Sequence, residues 1–308
     1  VMTWNLEWFY DEHQGDNFSD LAKEKSTPSR DQWNWRRDEI AASIARVSPS
    51  IVALQEVENR RVLWYLSGAL QKQGRKRYRE LGIEGRDHYT EQDVGFLFRE
   101  PVEVLSISQR MQTREMRASE NYFNLTKHLF GVFLVPVGDE FERVTVLNVH
   151  LRAGKEAESL RRRQARLVHH WISESVSRGE NVIVLGDFNS EEMGDETRRG
   201  SDIAITAGDE SKTDDDDLID VTLRIPNSSR ATHLLGKQFD RILVSRSMLT
   251  DAPNRPDLVF DSISVRPDLA IRGGQDNQSD HWDRYWEIGS ERRDLSDHYP
   301  VIATFKIR

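Results

Sequence analysis

The sequence predicts a single α/β (α+β) domain, and three observations carry that prediction. Short apolar runs of strand type and longer segments of helical period alternate along the chain. No shift in composition marks a boundary between domains. Several of the apolar runs end in carboxylate, amide or imidazole side chains, as buried strands do when they deliver polar groups to one edge of a sheet. At 308 residues the chain is long for an average domain but within the range of single two-sheet α/β folds. A globular chain of this size buries about 75% of the surface exposed by its unfolded form, so neither a metal nor disulfides are needed to hold it folded.

The elements follow in order. Val1–Trp8 reads as a strand, and the polar stretch Gln14–Thr27 as a loop. Arg30–Val47 carries Ile40, Ile44 and Val47 at helical spacing and stops at the Pro49 region. Ile51–Val57 is a short buried strand ending in Gln55-Glu56. Arg60–Gln73 is a helix closed by Gly74. Strands are expected over Tyr78–Ile83, Val94–Phe98, Val102–Ile107, Phe130–Val137 and Val144–His150. Lys155–Ser177 is a long charged helix with Leu160, Leu167, Val168 and Trp171 on one side. Val182–Leu185, Phe239–Val244 and Val301–Phe305 complete the strands. There is no internal repeat, and Gln109–His128, Glu191–Leu218 and Arg266–Glu287 read as insertions into one domain spanning 1–308.

Composition excludes some chemistry. The absence of cysteine removes disulfides and thiolate zinc sites together. No apolar run approaches the roughly 18 residues of a membrane helix. The net charge of −9 argues against nucleic-acid binding by bulk electrostatics, although a catalytic groove needs only local cations. Such cations cluster at Arg75-Lys76-Arg77 and at Arg161-Arg162-Arg163, each read first as a solvated face. Asp214-Asp215-Asp216-Asp217 lacks the glycine and spaced ligands of an EF-hand and reads as a solvated acidic loop. Val1 precedes Met2 and the first strand begins at once, so upstream residues are expected, and export after loss of a signal peptide stays open.

The polar interruptions are the informative part. Asn5 lies inside the first strand, Glu56 ends the second, and Asn148-Val149-His150 ends another. Leu185-Gly186-Asp187-Phe188-Asn189 ends a fourth, Phe239-Asp240 opens a fifth, and Asp297-His298 precedes the last. Carboxylates and histidines are costly to bury unless paired or bound to metal. One such residue is ordinarily structural, whereas six at strand ends point to a shared polar site on a sandwich edge. The oxygen-rich inventory suits magnesium or manganese better than zinc. Asp187 and Asn189 are two apart, so in an extended segment they face the same way. By itself that pair reads as an Asx turn, and Asp297-His298 as a loop pair; the constellation favours a site.

TWNLEWF, IVALQEVEN, LNVHLRAG, VLGDFNS, FDRILVS and LSDHYPV occur in an order that resembles the endonuclease/exonuclease/phosphatase superfamily, the group of deoxyribonuclease I and exonuclease III. The resemblance runs from residue 3 to residue 301. It implies a four-layer sandwich of two packed mixed β-sheets flanked by helices, and a divalent-metal-dependent phosphoesterase. By the same resemblance Glu56 is the principal metal ligand, with Asn5 beside it and Asp297 close to the ion. His150 is the first active-site histidine, and Asp187 and Asn189 orient nucleophile and phosphate. His298 is the second histidine, oriented by Asp240. Asp93 is the expected partner of His150, with Glu91 as the fallback. The cofactor implied is Mg2+, with Mn2+ as an alternative.

Loops select the substrate in this superfamily. Arg152 and Lys155 lie just beyond His150, placed either to hold flanking phosphates or on a helical turn facing solvent. Trp282, Tyr285 and Trp286 with Arg284 can stack bases or anchor their insertion. Glu58-Asn59 lacks the arginine that deoxyribonuclease I places there for the minor groove. The expected activity is hydrolysis of nucleic acid, DNA foremost, by a monomer through in-line attack of water. The alternatives are an inositol-phosphate phosphatase, a sphingomyelinase-like phosphodiesterase, or a non-catalytic binding scaffold on the same fold.

Overall fold

In a computed structural model of the chain, which describes residues 1–74, 77–110, 125–190, 198–252 and 256–308, the strands form two sheets. The first holds six strands in the order β11 (Leu258–Val265), β12 (Val301–Ile307), β1 (Met2–Phe9), β2 (Ile51–Val57), β4 (Asp93–Arg99) and β3 (Tyr78–Gly82). The second runs β5 (Glu103–Ser108), β6 (His128–Val137), β7 (Glu140–His150), β8 (Asn181–Asp187), β10 (Asp240–Ser245) and β9 (Leu218–Asp220). Each sheet has one parallel pair at its centre, β1 with β2 and β7 with β8. The helices are α1 (Asp20–Lys25), α2 (Arg30–Val47), α3 (Arg60–Lys72), α4 (Glu158–Ser177), α5 (Asp202–Ala207) and α6 (Gln278–Asp283). α2 makes the crossover between β1 and β2, and α4 that between β7 and β8, since parallel neighbours need a long connection.

Strand alternation sorts the apolar residues into three cores. On β2, Val52 and Leu54 pack against α2 and α3, whereas Ile51 and Ala53 face the other sheet. On β7, Val144 and Val146 face inward while Leu147 and Val149 meet α4. The result is four layers, helices outside and two mixed sheets within. Each fully buried Leu, Ile or Val contributes about 1.5–3 kcal/mol, and the three cores together leave the fold independent of its polar edge.

Several boundaries differ from the sequence reading. The expected loop Gln14–Thr27 contains α1, capped by Ser19 Oγ accepting from Ala22 N at 3.0 Å. Only Ala22 of that helix is buried, so it shows no apolar stripe. β11 is absent from the sequence reading because a bulge between Phe260 and Ser262 breaks its alternation. The third insertion is partly structural, since Leu269 and Ala270 join the core beneath α2. Within the second, Ile203 of α5 packs into the outer core on α4; residues 191–197 lie outside the described residues, as do 111–124 of the first insertion. Arg75 and Lys76 also lie outside them. Arg161 is not on a solvated face: it is buried and paired with Asp202 at 2.8 Å. Among the described residues, no helix is long and apolar enough to cross a membrane.

Candidate active site

The inward faces of the central strands change character at one end of the sandwich. On β8 the inward residues run Ile183, Leu185, Asp187, and on β10 they run Val244, Ile242, Asp240. Asp240 pairs in register with Asp187, and Asp187 with His150. Asn5 on β1 is in register with Gln55 on β2. Beneath this layer, Gln55 Nε2 donates to Asn148 Oδ1 at 2.6 Å, and Asn148 Nδ2 donates to the Leu54 and Gly95 carbonyls at 3.0 Å. The two amides close the central core under the cluster.

Glycine and left-handed backbone set the exact aim of the strand ends. Gly186 has φ 137°, and a Cβ there would lie 1.9 Å from the Val149 carbonyl oxygen; only glycine lets β7 and β8 approach so closely. Glu56 and Asn189 adopt φ of 57° and 49°, which re-aims each side chain at a strand end. β1 bulges after Asn5, where Glu7 and Trp8 also have positive φ, and the Trp8 amide donates to Glu56 Oε2 at 3.1 Å.

Asn5, Glu56, His150, Asp187, Asp240, Asp297 and His298 form one cluster. Asn5 Nδ2 donates both to Asp187 Oδ2 at 2.8 Å and to Glu56 Oε1 at 3.0 Å. His298 Nδ1 meets Asp240 Oδ2 at 2.8 Å. His150 Nε2 and His298 Nε2 each stand 3.7 Å from Asp187 Oδ2, too far for a hydrogen bond but near enough for a shared ligand. Asn189 donates its backbone N–H to Asp187 Oδ1 at 2.8 Å and its side chain to the Leu151 carbonyl at 3.1 Å.

Electrostatics differ across the cluster. Burial opposes a charge on His298, but Asp240 and Asp187 outweigh it and hold the imidazole well above its usual pKa. Burial, with Lys127 nearby, pushes His150 well below its usual value. Burial also raises Glu56 to about 7 and Asp187 to about 6. Asp297 is buried too, yet His233 and His298 hold its carboxyl below the usual range.

One expected pairing is not made. Asp93 Oδ1 accepts from the Gly85 amide at 2.8 Å, because the loop before β4 folds back over the carboxylate. Glu91, the fallback, accepts from the Phe18 amide at 2.9 Å and binds the Ser19 amide as well. His150 Nδ1 is therefore buried without a hydrogen-bond partner among the described residues. Arg152 and Lys155 are exposed beyond His150, and among the described residues neither side chain has an ion-pair partner.

Three site residues escaped sequence reasoning. His233 Nδ1 accepts from the Leu235 amide at 3.0 Å, which puts the proton on Nε2, 3.3 Å from Asp297 Oδ2. Gln92 Nε2 donates to Glu56 Oε2 at 2.6 Å, and Lys127 Nζ donates to Gln92 Oε1 at 2.6 Å. All three sit in loops or at a strand's edge with no periodic signal; only Gln92's place beside Asp93 could have drawn notice.

The cluster fits a divalent metal. Glu56, His150 and Asp187 each offer a ligand atom within 4.8 Å of the others, as do Asp187, Asp240 and His298. Asp240 Oδ1 and Asp297 Oδ1 are buried without a hydrogen-bond partner among the described residues. Orphaned carboxylate oxygens in such a place need a cation or an ordered ligand.

A family model described as the Endonuclease/Exonuclease/phosphatase family matches residues 2–298. No curated protein sequence matches the chain. Among solved structures, it is similar to a D. rerio TDP2 humanized by 14 mutations, at 17% identity over 99% of this chain and 97% of that one, with a TM-score of 0.60. It is similar to D. rerio TDP2 complexed with single-strand DNA product, at 18% identity over 99% and 98%, with a TM-score of 0.56. It is also similar to the human Nocturnin catalytic domain with bound sulfate anion, at 15% identity over 100% and 94%, with a TM-score of 0.60. At these identities the likeness is one of fold.

Proposed function

The chain belongs to the endonuclease/exonuclease/phosphatase family of phosphoester hydrolases, and from that premise we propose that it is a nuclease that cleaves phosphodiester bonds of nucleic acid, DNA foremost, by in-line attack of water. The observation that carries the reading is the placement of Asp187 Oδ2 between the two imidazoles, with Asn5 tying it to Glu56. A phosphoryl group in that gap meets a donor on either side and an acceptor behind it. The D. rerio TDP2 complex with single-strand DNA product supports nucleic acid as the substrate class.

Glu56, with Asn5 and Asp187, would hold magnesium or manganese, the ions that oxygen donors suit. Such an ion supplies Lewis-acid stabilisation of the phosphoryl charge. The chain's own residues do the rest. His298, clamped by Asp240 and favouring the imidazolium, donates Nε2–H to a phosphoryl oxygen. Asp187, its other oxygen fixed by the Asn189 amide, accepts the proton of the attacking water. Asn189 keeps that carboxylate from rotating. His150, neutral, presents Nε2 on the opposite side of the phosphate.

The test is a metal-dependent activity screen over plasmid DNA, single strands, RNA, abasic duplex, inositol phosphates and sphingomyelin. Cleavage of DNA that requires magnesium or manganese is the expected outcome. Intact nucleic acid beside a hydrolysed inositol phosphate or lipid head group overturns the substrate and leaves the metal and histidine roles in place. No hydrolysis of any phosphoester would favour a binding scaffold.

A further inference from the structure

Next to the catalytic cluster, across a shared wall, lies a cleft of about 340 Å³ between the end of β1, α1 and the segment after β11. Glu7, Trp8 and Trp282 belong to both. The Trp8 amide donates to Glu56, the Glu7 carboxylate accepts from the Asp297 amide at 3.1 Å, and Trp282 Nε1 donates to Asp297 Oδ2 at 3.0 Å. A group seated in the cleft is therefore one wall away from the reacting phosphate.

The two uses of the aromatic insertion residues divide between them. Tyr285 is the anchor: its hydroxyl donates to the Asp294 carbonyl at 2.9 Å, and the Arg36 and Arg293 guanidinium groups pack on its ring. Trp282 is 41% exposed, and its one polar atom is already engaged by Asp297, so the ring itself is what it offers to the cleft. Trp286 lines the same cleft, edge-on to Tyr285, and Lys25 lies over Trp8 at 5.7 Å from the ring centre.

Charge decides what such a cleft accepts. Glu7, Glu24, Asp283 and Glu287 line it. Of the cations there, Arg36 is committed to the Leu6, Glu7 and Trp8 carbonyls and Arg284 is paired with Asp280. A second phosphate or a polyphosphorylated head group meets carboxylates, whereas a flat neutral ring meets indole faces.

We propose that this cleft is a subsite for one nucleobase of the strand whose phosphate occupies the cluster, with Trp282 and Trp286 as the stacking surfaces. The proposal rests on the nucleic-acid reading above. Stacking of one base is worth about 5- to 150-fold in binding, so the subsite shows as a position-specific demand for a base.

The experiment measures kcat/KM on short single-stranded oligonucleotides in which one residue at a time near the cleaved bond is replaced by an abasic residue. For the native chain, one abasic position should lower kcat/KM by about 5- to 150-fold. In Trp282→Leu and Trp286→Leu that same position should cost nothing further. Trp282→Phe keeps a ring but loses the donor to Asp297, so it should retain the demand for a base, which a purely structural tryptophan would not predict. A flat abasic profile in the native chain, or an unchanged profile in Trp282→Leu, overturns the subsite while oligonucleotide cleavage sustains the nuclease. Failure to cleave any oligonucleotide overturns both.

Discussion

The two histidine flanks of the site are built differently. On the His298 side every polar atom is held by another: Asp240 on Nδ1, Ser296 Oγ on the backbone amide at 3.0 Å, and His233 and Trp282 on the neighbouring Asp297. The layers behind continue the pattern, with buried His281 bridging Glu7 at 2.7 Å and Asp276 at 2.9 Å. On the His150 side, Nδ1 has no partner among the described residues, and the ring touches the cluster only through Nε2. A histidine locked by a carboxylate acts as a fixed, charged donor. One without such a lock stays neutral, and its orientation depends on packing or on the ligand.

The comparison breaks most completely if the cluster is not a metal site, because both flanks converge on Asp187 and Glu56. Excess chelator should abolish hydrolysis, and full activity under those conditions would exclude a catalytic metal. Glu56→Gln should lose most of its affinity for manganese, read by calorimetry, while unfolding as cooperatively as the native chain. A variant that no longer unfolds cooperatively would make the ion part of the fold.

The next largest effect sharpens the asymmetry directly. Asp240→Asn and His298→Ala should each slow turnover by about 10²–10⁴-fold, and the double variant should be no slower than the worse single, since the pair acts as a unit. Asp93→Asn should cost no more than a few-fold, because Asp93 binds the Gly85 amide and not His150. Multiplicative losses for the Asp240–His298 pair, or a large loss in Asp93→Asn, would reverse the assignment of which histidine is locked.

The sequence made one flank legible and misled on the other, for physical reasons. Asn5, Glu56, His150, Asp187 and Asp240 interrupt apolar strands, and strand period alone sends them to one face at one end. The four layers follow from the same alternation, although their arrangement came from the superfamily resemblance. What the strands do not encode is loop path. Asp93 stands at the first position of β4, as the pairing with His150 requires, yet the loop holding Gly85 folds onto its carboxylate. His233 and Lys127 reach the cluster from irregular segments with no period to betray them. α1 was hidden because a helix burying one alanine shows no stripe.

The layer behind Asp297 gives a pH signature that tests how tightly that flank is built. Burial opposes a charge on His281, but Glu7, Asp276 and Asp297 outweigh it and raise its pKa to about 10, against 6.5 for an unperturbed histidine. A raised folded-state pKa adds stability that is fully present below the unfolded value and is lost as pH rises through the folded one. The melting temperature of the native chain should therefore exceed that of His281→Gln by a constant margin below pH 6.5, and the margin should shrink towards pH 10. A margin independent of pH would mean that His281 is held neutral, and the dense flank would lose its innermost charge.

The smallest effect lies at the open rim of the His150 flank. Arg152 and Lys155 are exposed, and among the described residues neither has a carboxylate partner, so each is available to a flanking phosphate. The chain carries −9 overall, but at physiological salt charges are screened over about 8 Å, and the two local cations dominate the rim on that scale. Neither contacts the reacting atoms, so they should bind ground state and transition state alike. Arg152→Gln with Lys155→Gln should raise KM for DNA by about tenfold or less and leave kcat within about twofold. The slope of log(kcat/KM) against log salt should also become shallower, by up to about 0.7 for each lost contact to a single strand. A fall in kcat with KM unchanged would place one of them on the reacting phosphate. The sparse flank would then own a charged donor after all, standing opposite the one that Asp240 holds in His298.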